Sequence, residues 1–246
     1  MKKYAVLCAA LLMCGIALAQ GTQQVVSEVN IIMPKAGMAK QFEEGRKAHS
    51  AFHAAQNDTW KIMVWEITTG ERTGAYMMSS PGHSWKDFDG REAFNRLDGP
   101  DVMKNMTPYA ASNSSAYYIF RDDLSLTPPP ATPSKMRTTA SYSVIPEHVN
   151  DFVDSIKKIN AALKKTNYPL KPSRWYQLAN GGDSPTFVLV TDRATWADME
   201  PPEKKLEDAL KEADGDTSAL DTLRKSCRRI VNEMSEYRPD LSYIPK

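Results

Sequence analysis

Cysteine is scarce in this chain, and the few it has are unevenly placed. Of three cysteines in 246 residues, Cys8 and Cys14 stand near the start and only Cys227 stands beyond them. Lys2 and Lys3 precede an apolar run from Tyr4 to about Ile16, closed by Ala17-Leu18-Ala19. A basic start, an apolar stretch shorter than the ~20 residues of a bilayer span, and small residues at −3 and −1 predict a cleavable secretory leader. The predicted leader covers residues 1–19, with the cut after Ala19, and implies a periplasmic or secreted protein. Two alternatives stay open: a retained anchor, and lipid attachment at Cys14 within "LLMCG", where Met13 is larger than the residue usual at that place. Without the leader a single thiol remains. That excludes an internal disulfide, so the core must hold the chain together unaided.

An excess of charge is lacking too. The whole chain has 31 basic and 30 acidic residues; the leader removes two lysines and no acid, leaving 29 against 30. Such a balance offers no electrostatic reason to bind nucleic acid or an anionic membrane surface. No later run is long and apolar enough for a membrane span. There is no glycine-rich phosphate loop, no G-x-S-x-G elbow, no H-E-x-x-H and no Cys/His metal cluster. No cofactor is expected on these grounds.

What the sequence does contain is a phrase written twice. "RDDLSLTP" from Arg121 and "RPDLSYIP" from Arg238 align on Arg, on Asp-Leu-Ser and on Pro128 and Pro245. Upstream, "SWKDFD" matches "TWADME", pairing Trp85 with Trp196. Phe42, Asn57 and Trp65 find counterparts in Phe152, Asn167 and Trp175. Matches at a nearly constant offset over both halves predict a tandem repeat of residues 25–126 and 136–246. Between them, residues 127–135 ("TPPPATPSK") form a proline-rich spacer.

Each half predicts the order strand, helix, strand, strand, helix, closing strand. "VVSEVNIIMP" and "MRTTASYSVIP" read as first strands. Phe42, Gly45, His49 and Phe52, and Phe152, Ile156, Ile159 and Leu163, share helical faces. "WKIMVWEI" and "AYMMS", then "SRWYQLA" and "TFVLV", read as hairpins. "PPEKKLEDALKEA" predicts a helix after two prolines, and Leu220, Leu223, Cys227, Ile230 and Met234 suggest another, with Cys227 as a buried thiol. Both halves are thus α+β, ferredoxin-like units. A bare sheet face needs cover, so the two antiparallel sheets are expected to pack face to face as an intramolecular pseudo-dimer, with further oligomerisation open.

The first strand to Pro34, the helix to Asn57, the "TWKIMVWEITTG" hairpin and "YMMSSPGHSWKDFD" resemble the dimeric α/β-barrel superfamily. That group includes antibiotic-biosynthesis monooxygenases, haem-degrading relatives, NIPSNAP-type proteins and stress-responsive barrels. The resemblance implies a barrel whose interior is the ligand or active-site cavity. The haem-degrading relatives use an Asn, a Trp and a His. Asn30 stands where such an Asn would, but Met78-Ser79-Ser80 occupies the place of the Trp and no His follows.

Comparing the halves singles out His49 and His53, which align with Ile159 and Leu163. One helical turn apart, their rings can converge on one ligand or metal ion, with His83 or Glu28 as further ligands; local hydrogen bonding is the plainer role. His83 lies in the loop before the helix that Ser84 caps, with Thr195 in the same place of the second half. Trp65, Trp85, Trp175 and Trp196 can line a pocket or pack the core. Arg121–Asp123 and Arg238–Asp240 read as turn-fixing pairs. The candidate ligand-binding set is therefore Asn30, His49, His53, Trp65, His83 and Trp85, with His49 and His53 as metal candidates. The function expected is binding of a small, partly apolar ligand by an exported barrel protein; the alternatives are a cofactor-independent monooxygenase-like enzyme and a histidine-based metal protein.

Overall fold

Alternation of buried and half-buried residues in "VSEVNIIMP" makes β1 (Val26–Pro34). The computed structural model describes residues 24–246. The leader, its cut after Ala19 and Cys14 lie outside the described residues. After β1 come α1 (Ala39–Ala55), β2 (Met63–Ile67), β3 (Tyr76–His83), α2 (Trp85–Asp89), α3 (Glu92–Asn105) and β4 (Ala110–Arg121). Then follow β5 (Met136–Val144), α4 (Val149–Lys165), β6 (Ser173–Asn180), β7 (Thr186–Arg193), α5 (Leu206–Asp214), α6 (Ser218–Lys225) and β8 (Cys227–Tyr237). The order strand, helix, strand, strand, helical segment, strand occurs twice. Asn57 and Asn167 follow α1 and α4 with φ of 51° and 48°. Asparagine tolerates that left-handed conformation better than most residues.

Two antiparallel sheets packed face to face as a pseudo-dimeric α/β barrel were expected; the eight strands form a single sheet closed into an antiparallel barrel, in the order β1-β3-β2-β8-β5-β7-β6-β4. The halves join edge to edge. Trp65 pairs with Tyr237 between β2 and β8, and Arg121 pairs with Trp175 between β4 and β6. Closure satisfies the backbone groups that four free strand edges would leave open. The helices cover the outside of the barrel, over two apolar clusters. The larger joins Phe152, Ile156, Trp175, Phe187 and Leu210, and the smaller joins Phe42, Val64, Tyr76, Met78 and Met106.

Three element readings change. The helix expected through Cys227 stops at Lys225, and Cys227 opens β8. β8 pairs with β5 from Cys227 to Glu236 and with β2 from Ser235 to Tyr237, and these ladders override the three-four spacing of its apolar residues. Cys227 is nonetheless partly buried against the larger cluster. The charged helix starts at Leu206, four residues past Pro202, rather than directly after the prolines. Trp65 and Trp175 are not equivalent: the residue that matches Trp175 is Val64, which stands one residue nearer to Asn57 than Trp175 stands to Asn167. Val64 and Trp175 take matching outward positions, since the backbone N–H of each donates to a serine, Ser242 and Ser125 respectively, at 2.9 Å. A slip of one residue reverses the face of a strand, so Trp65 points inward.

The repeated Asp-Leu-Ser phrase proves to be a crossed clasp. Leu124 ends the first half and is fully buried in the cluster of the second; Leu241 ends the second and is fully buried in the cluster of the first. Arg121 grips Asp123 through two 2.8 Å hydrogen bonds, as Arg238 grips Asp240 at 3.0 Å. Lys157 and Lys47 approach the same two aspartates.

Candidate functional site

Inward-facing residues of the barrel enclose a cavity of about 200 Å³. For scale, a dry cavity of ~150 Å³ admits a benzene ring. Its wall is largely aromatic and aliphatic: Trp65, Tyr118, Phe120, Tyr176, Met63 and Met77. Burial raises the pKa of the Tyr118 and Tyr176 phenols, so both stay protonated at neutral pH.

Besides Lys61, five charged side chains interrupt this wall. Arg174 donates twice to Asp192, at 2.7 Å each, and Arg72 Nε donates to Glu233 at 2.8 Å. Both pairs are neutralised. Arg137 is not. Its Nε donates to Ser235 Oγ at 3.2 Å, another nitrogen rests 3.4 Å from the Met77 sulfur, and its guanidinium lies 3.9 Å from the Trp65 ring centre. Among the described residues no carboxylate forms a salt bridge with it. Burial first, and the neighbouring Arg174 as well, push the Arg137 pKa down to about 9, which leaves it charged at neutral pH. Two further donors of the wall, Trp65 Nε1 and Arg174 Nε, are buried without a hydrogen-bond partner. The cavity has unused donors and one uncompensated positive charge.

At one mouth of the cavity Pro129, Pro130 and Pro133 of the interhalf segment line the opening, near Lys61 and Gly82. Lys61, Pro81 and Gly82 also border an outer cleft containing Trp60, His83, Arg91 and Phe94. His83 stacks on Trp60 with ring centres 3.6 Å apart and bonds Ser80 Oγ at 2.9 Å. It therefore stands beside the mouth, outside the barrel.

Of the residues singled out in the sequence, Trp65 lies in the cavity wall. Asn30 faces outward and accepts a hydrogen bond from Ser115. Trp85 and Trp196, 43% and 61% exposed, lie in neither cavity nor core. Ser84 and Thr195 each donate a backbone N–H to the aspartate three residues on, Asp87 and Asp198. Glu28 faces outward on β1 and is not in the histidine cluster described next. Arg137, Arg174, Tyr118 and Tyr176 escaped notice, although the period of two in "MRTTASYSV" does place Arg137 opposite its buried neighbours.

His49 and His53 meet on the outer side of the first half, under α3. Their Nε2 atoms are 3.0 Å apart, and Asp98 Oδ1 lies 3.5 Å from the first and 3.3 Å from the second. His49 Nδ1 bonds Asp101 and His53 Nδ1 bonds Asp58, both at 2.7 Å. Asp58 is in turn held by Arg91 at 2.6 Å. Burial, with the Arg46 guanidinium close by, lowers the His49 pKa to about 4, and burial likewise lowers that of His53. Burial raises that of Asp98 to about 6.

No family model and no curated protein matches this chain. Solved structures do. An anthrone oxidase-like protein superposes with a TM-score of 0.57 at 11% identity, covering 88% of this chain and 92% of that one. A suggested monooxygenase from Lactobacillus acidophilus NCFM gives 0.54 at 6%, covering 91% and 97%. A single-substitution variant of chlorite dismutase from Candidatus Nitrospira defluvii gives 0.56 at 9%, covering 89% and 93%. The fold is the ferredoxin-like dimeric α/β barrel. At such identities the likeness concerns the fold alone. In this α/β barrel the Asn, Trp and His of the haem-degrading relatives have no matching set: Asn30 is tied to Ser115, and Met78 is packed in the cluster of Phe42, Val64 and Leu241. These residues do not fit a haem. Among the described residues no helix is long and apolar enough to cross a membrane.

Proposed function

We propose that this chain is an exported, internally duplicated barrel protein whose interior binds a small, flat, partly apolar molecule carrying one negative charge. The observation that carries this reading is Arg137: a guanidinium without a carboxylate partner, stacked on Trp65 within an otherwise apolar wall. A buried charge left unpaired is costly, and a bound carboxylate or phenolate supplies the partner. Tyr118, Phe120 and Tyr176 give the wall aromatic surface for a flat body, and the unpartnered Trp65 and Arg174 donors suit acceptor oxygens. The anthrone oxidase-like and monooxygenase neighbours make a cavity enzyme the second reading. Asp192 and Glu233 are each engaged by an arginine, and no imidazole of the described residues lines the cavity. A free general base is therefore missing from the wall, which favours binding over turnover.

The test compares an aryl carboxylate with its methyl ester, followed by quenching of tryptophan fluorescence, alongside native mass spectrometry of the protein as purified. The acid is expected to bind at least about tenfold more tightly than the ester, and Arg137→Met to erase that preference. Equal affinity for acid and ester would remove the reading. Export is tested separately, by N-terminal sequencing of the mature protein, which is expected to begin at Gln20.

A further inference from the structure

The second polar centre of the molecule lies away from the barrel interior. Its construction begins with α1. On α4, the positions equivalent to Arg46, His49 and His53 hold Ile156, Ile159 and Leu163, all buried in the larger cluster. On α1 the same positions are equally buried but polar. Gly45 sets the approach of the opposing helix: a Cβ there would stand 1.7 Å from the Asn105 carbonyl oxygen of α3. Only with glycine can the end of α3 come this close, and the approach brings Asp98 and Asp101 against the two imidazoles.

Both Nδ1 atoms are engaged by carboxylates at 2.7 Å. A carboxylate accepts, so each Nδ1 carries the proton and each Nε2 presents a lone pair. Those two lone pairs face one another across 3.0 Å, with Asp98 Oδ1, buried and without a hydrogen-bond partner, completing a triangle. Three acceptors converging with no donor between them repel, unless a cation stands among them. The triangle has sides of 3.0, 3.3 and 3.5 Å. Ligand atoms about 2.0–2.1 Å from a tetrahedral Zn²⁺ are separated by roughly 3.3 Å. The outer carboxylates also match the usual support of metal-bound histidines, which orient each ring through its second nitrogen. Of the charges around the triangle, Asp58, Asp98 and Asp101 are negative and Arg46 and Arg91 positive. The set therefore has one net negative charge before an ion enters. The Asp98 side chain is 26% exposed, which gives an ion a route in and leaves room for a water as fourth ligand.

We propose that His49 Nε2, His53 Nε2 and Asp98 Oδ1 bind a divalent transition-metal ion, Zn²⁺ suiting the donor set best, and that the ion fastens α3 to α1. No residue of α3 is fully buried, and Leu97 and Met103 on it are exposed; its apolar anchorage comes from half-buried side chains such as Phe94, against Phe52 and His53, and Val102 at the edge of the smaller cluster.

Chelator-stripped full-length protein is titrated with Zn²⁺ against a chromophoric competitor, with Co²⁺ as the absorbance probe of coordination number. The expected result is one ion per chain, a four-coordinate Co²⁺ spectrum and a higher melting temperature with Zn²⁺. Asp98→Asn, a near-isosteric change at the exposed edge, is expected to weaken binding at least tenfold, and Asp101→Asn about 10–100-fold through loss of ring support. His148→Gln, at an exposed site, serves as the control and leaves affinity unchanged. Absence of Zn²⁺ binding at micromolar concentration overturns the proposal. So does an Asp98→Asn protein that binds as tightly as the parent, which would put the ion elsewhere.

Discussion

Single atoms decide both polar centres of this protein. At Gly45 the missing methyl group lets α3 lie against α1, and Gly45→Ala forces the helices apart. The expected loss is about 1–3 kcal/mol, the usual cost of overpacking, read as a lower denaturant midpoint. Faster amide exchange confined to α3 would trace the loss to this contact, and an unchanged midpoint would show that α3 does not depend on it. At Arg137 the reverse holds, because a charge is present that the fold does not need. Arg137→Met removes a buried, unpaired guanidinium and is expected to leave stability equal to the parent or above it while binding of an anionic ligand falls. A strongly destabilised Arg137→Met protein would instead mark the arginine as structural.

Among the elements, the two Asp-Leu-Ser clasps carry the joint between halves. Leu124→Ala and Leu241→Ala each truncate a fully buried leucine, and each is expected to cost about 2–5 kcal/mol in urea unfolding. Each damages the cluster of the half to which the residue does not belong. The Arg238 clasp also predicts a pH response. Hydrogen bonds from Arg238 hold Glu43 and Asp240 below their ordinary pKa values of 4.5 and 3.8. Folded values below unfolded ones mean stability that is fully present above 4.5 and 3.8 and is lost as pH falls below them through the lower folded values. The stability gap between the parent and Arg238→Met is thus expected to be widest near neutral pH and to close below about pH 4. A gap that stays constant with pH would show that packing, not charge, accounts for it. Much at this scale was legible in the sequence. The repeated phrase, the paired aromatics and the contrast of His49 and His53 with Ile159 and Leu163 gave the element order and one of the two centres. Asp58, Asp98 and Asp101 were not legible as partners, because the approach of α3 depends on a glycine contact between distant segments. Trp65 was given the wrong counterpart because a one-residue shift in strand register leaves no trace in spacing alone. The strand β8 looked helical because its apolar residues also satisfy a three-four pattern.

For the molecule as a whole, closure of the sheet matters more than the covalent link between its halves. Residues 127–135 join them, yet β2 pairs with β8 and β4 with β6. Proteolytic nicking within this segment is expected to leave one particle of unchanged elution volume, with the two fragments separating only in denaturant. Fragments that part under native conditions would show that strand pairing does not hold the barrel shut. Since Pro129, Pro130 and Pro133 border the cavity mouth, the same nick is expected to speed ligand association.

The crossed clasp also sets a timetable. Domains commonly fold as they leave the ribosome, the earlier one first. Here the smaller core lacks Leu241 until the second half has been made, so the half made first must wait, incomplete, for its neighbour.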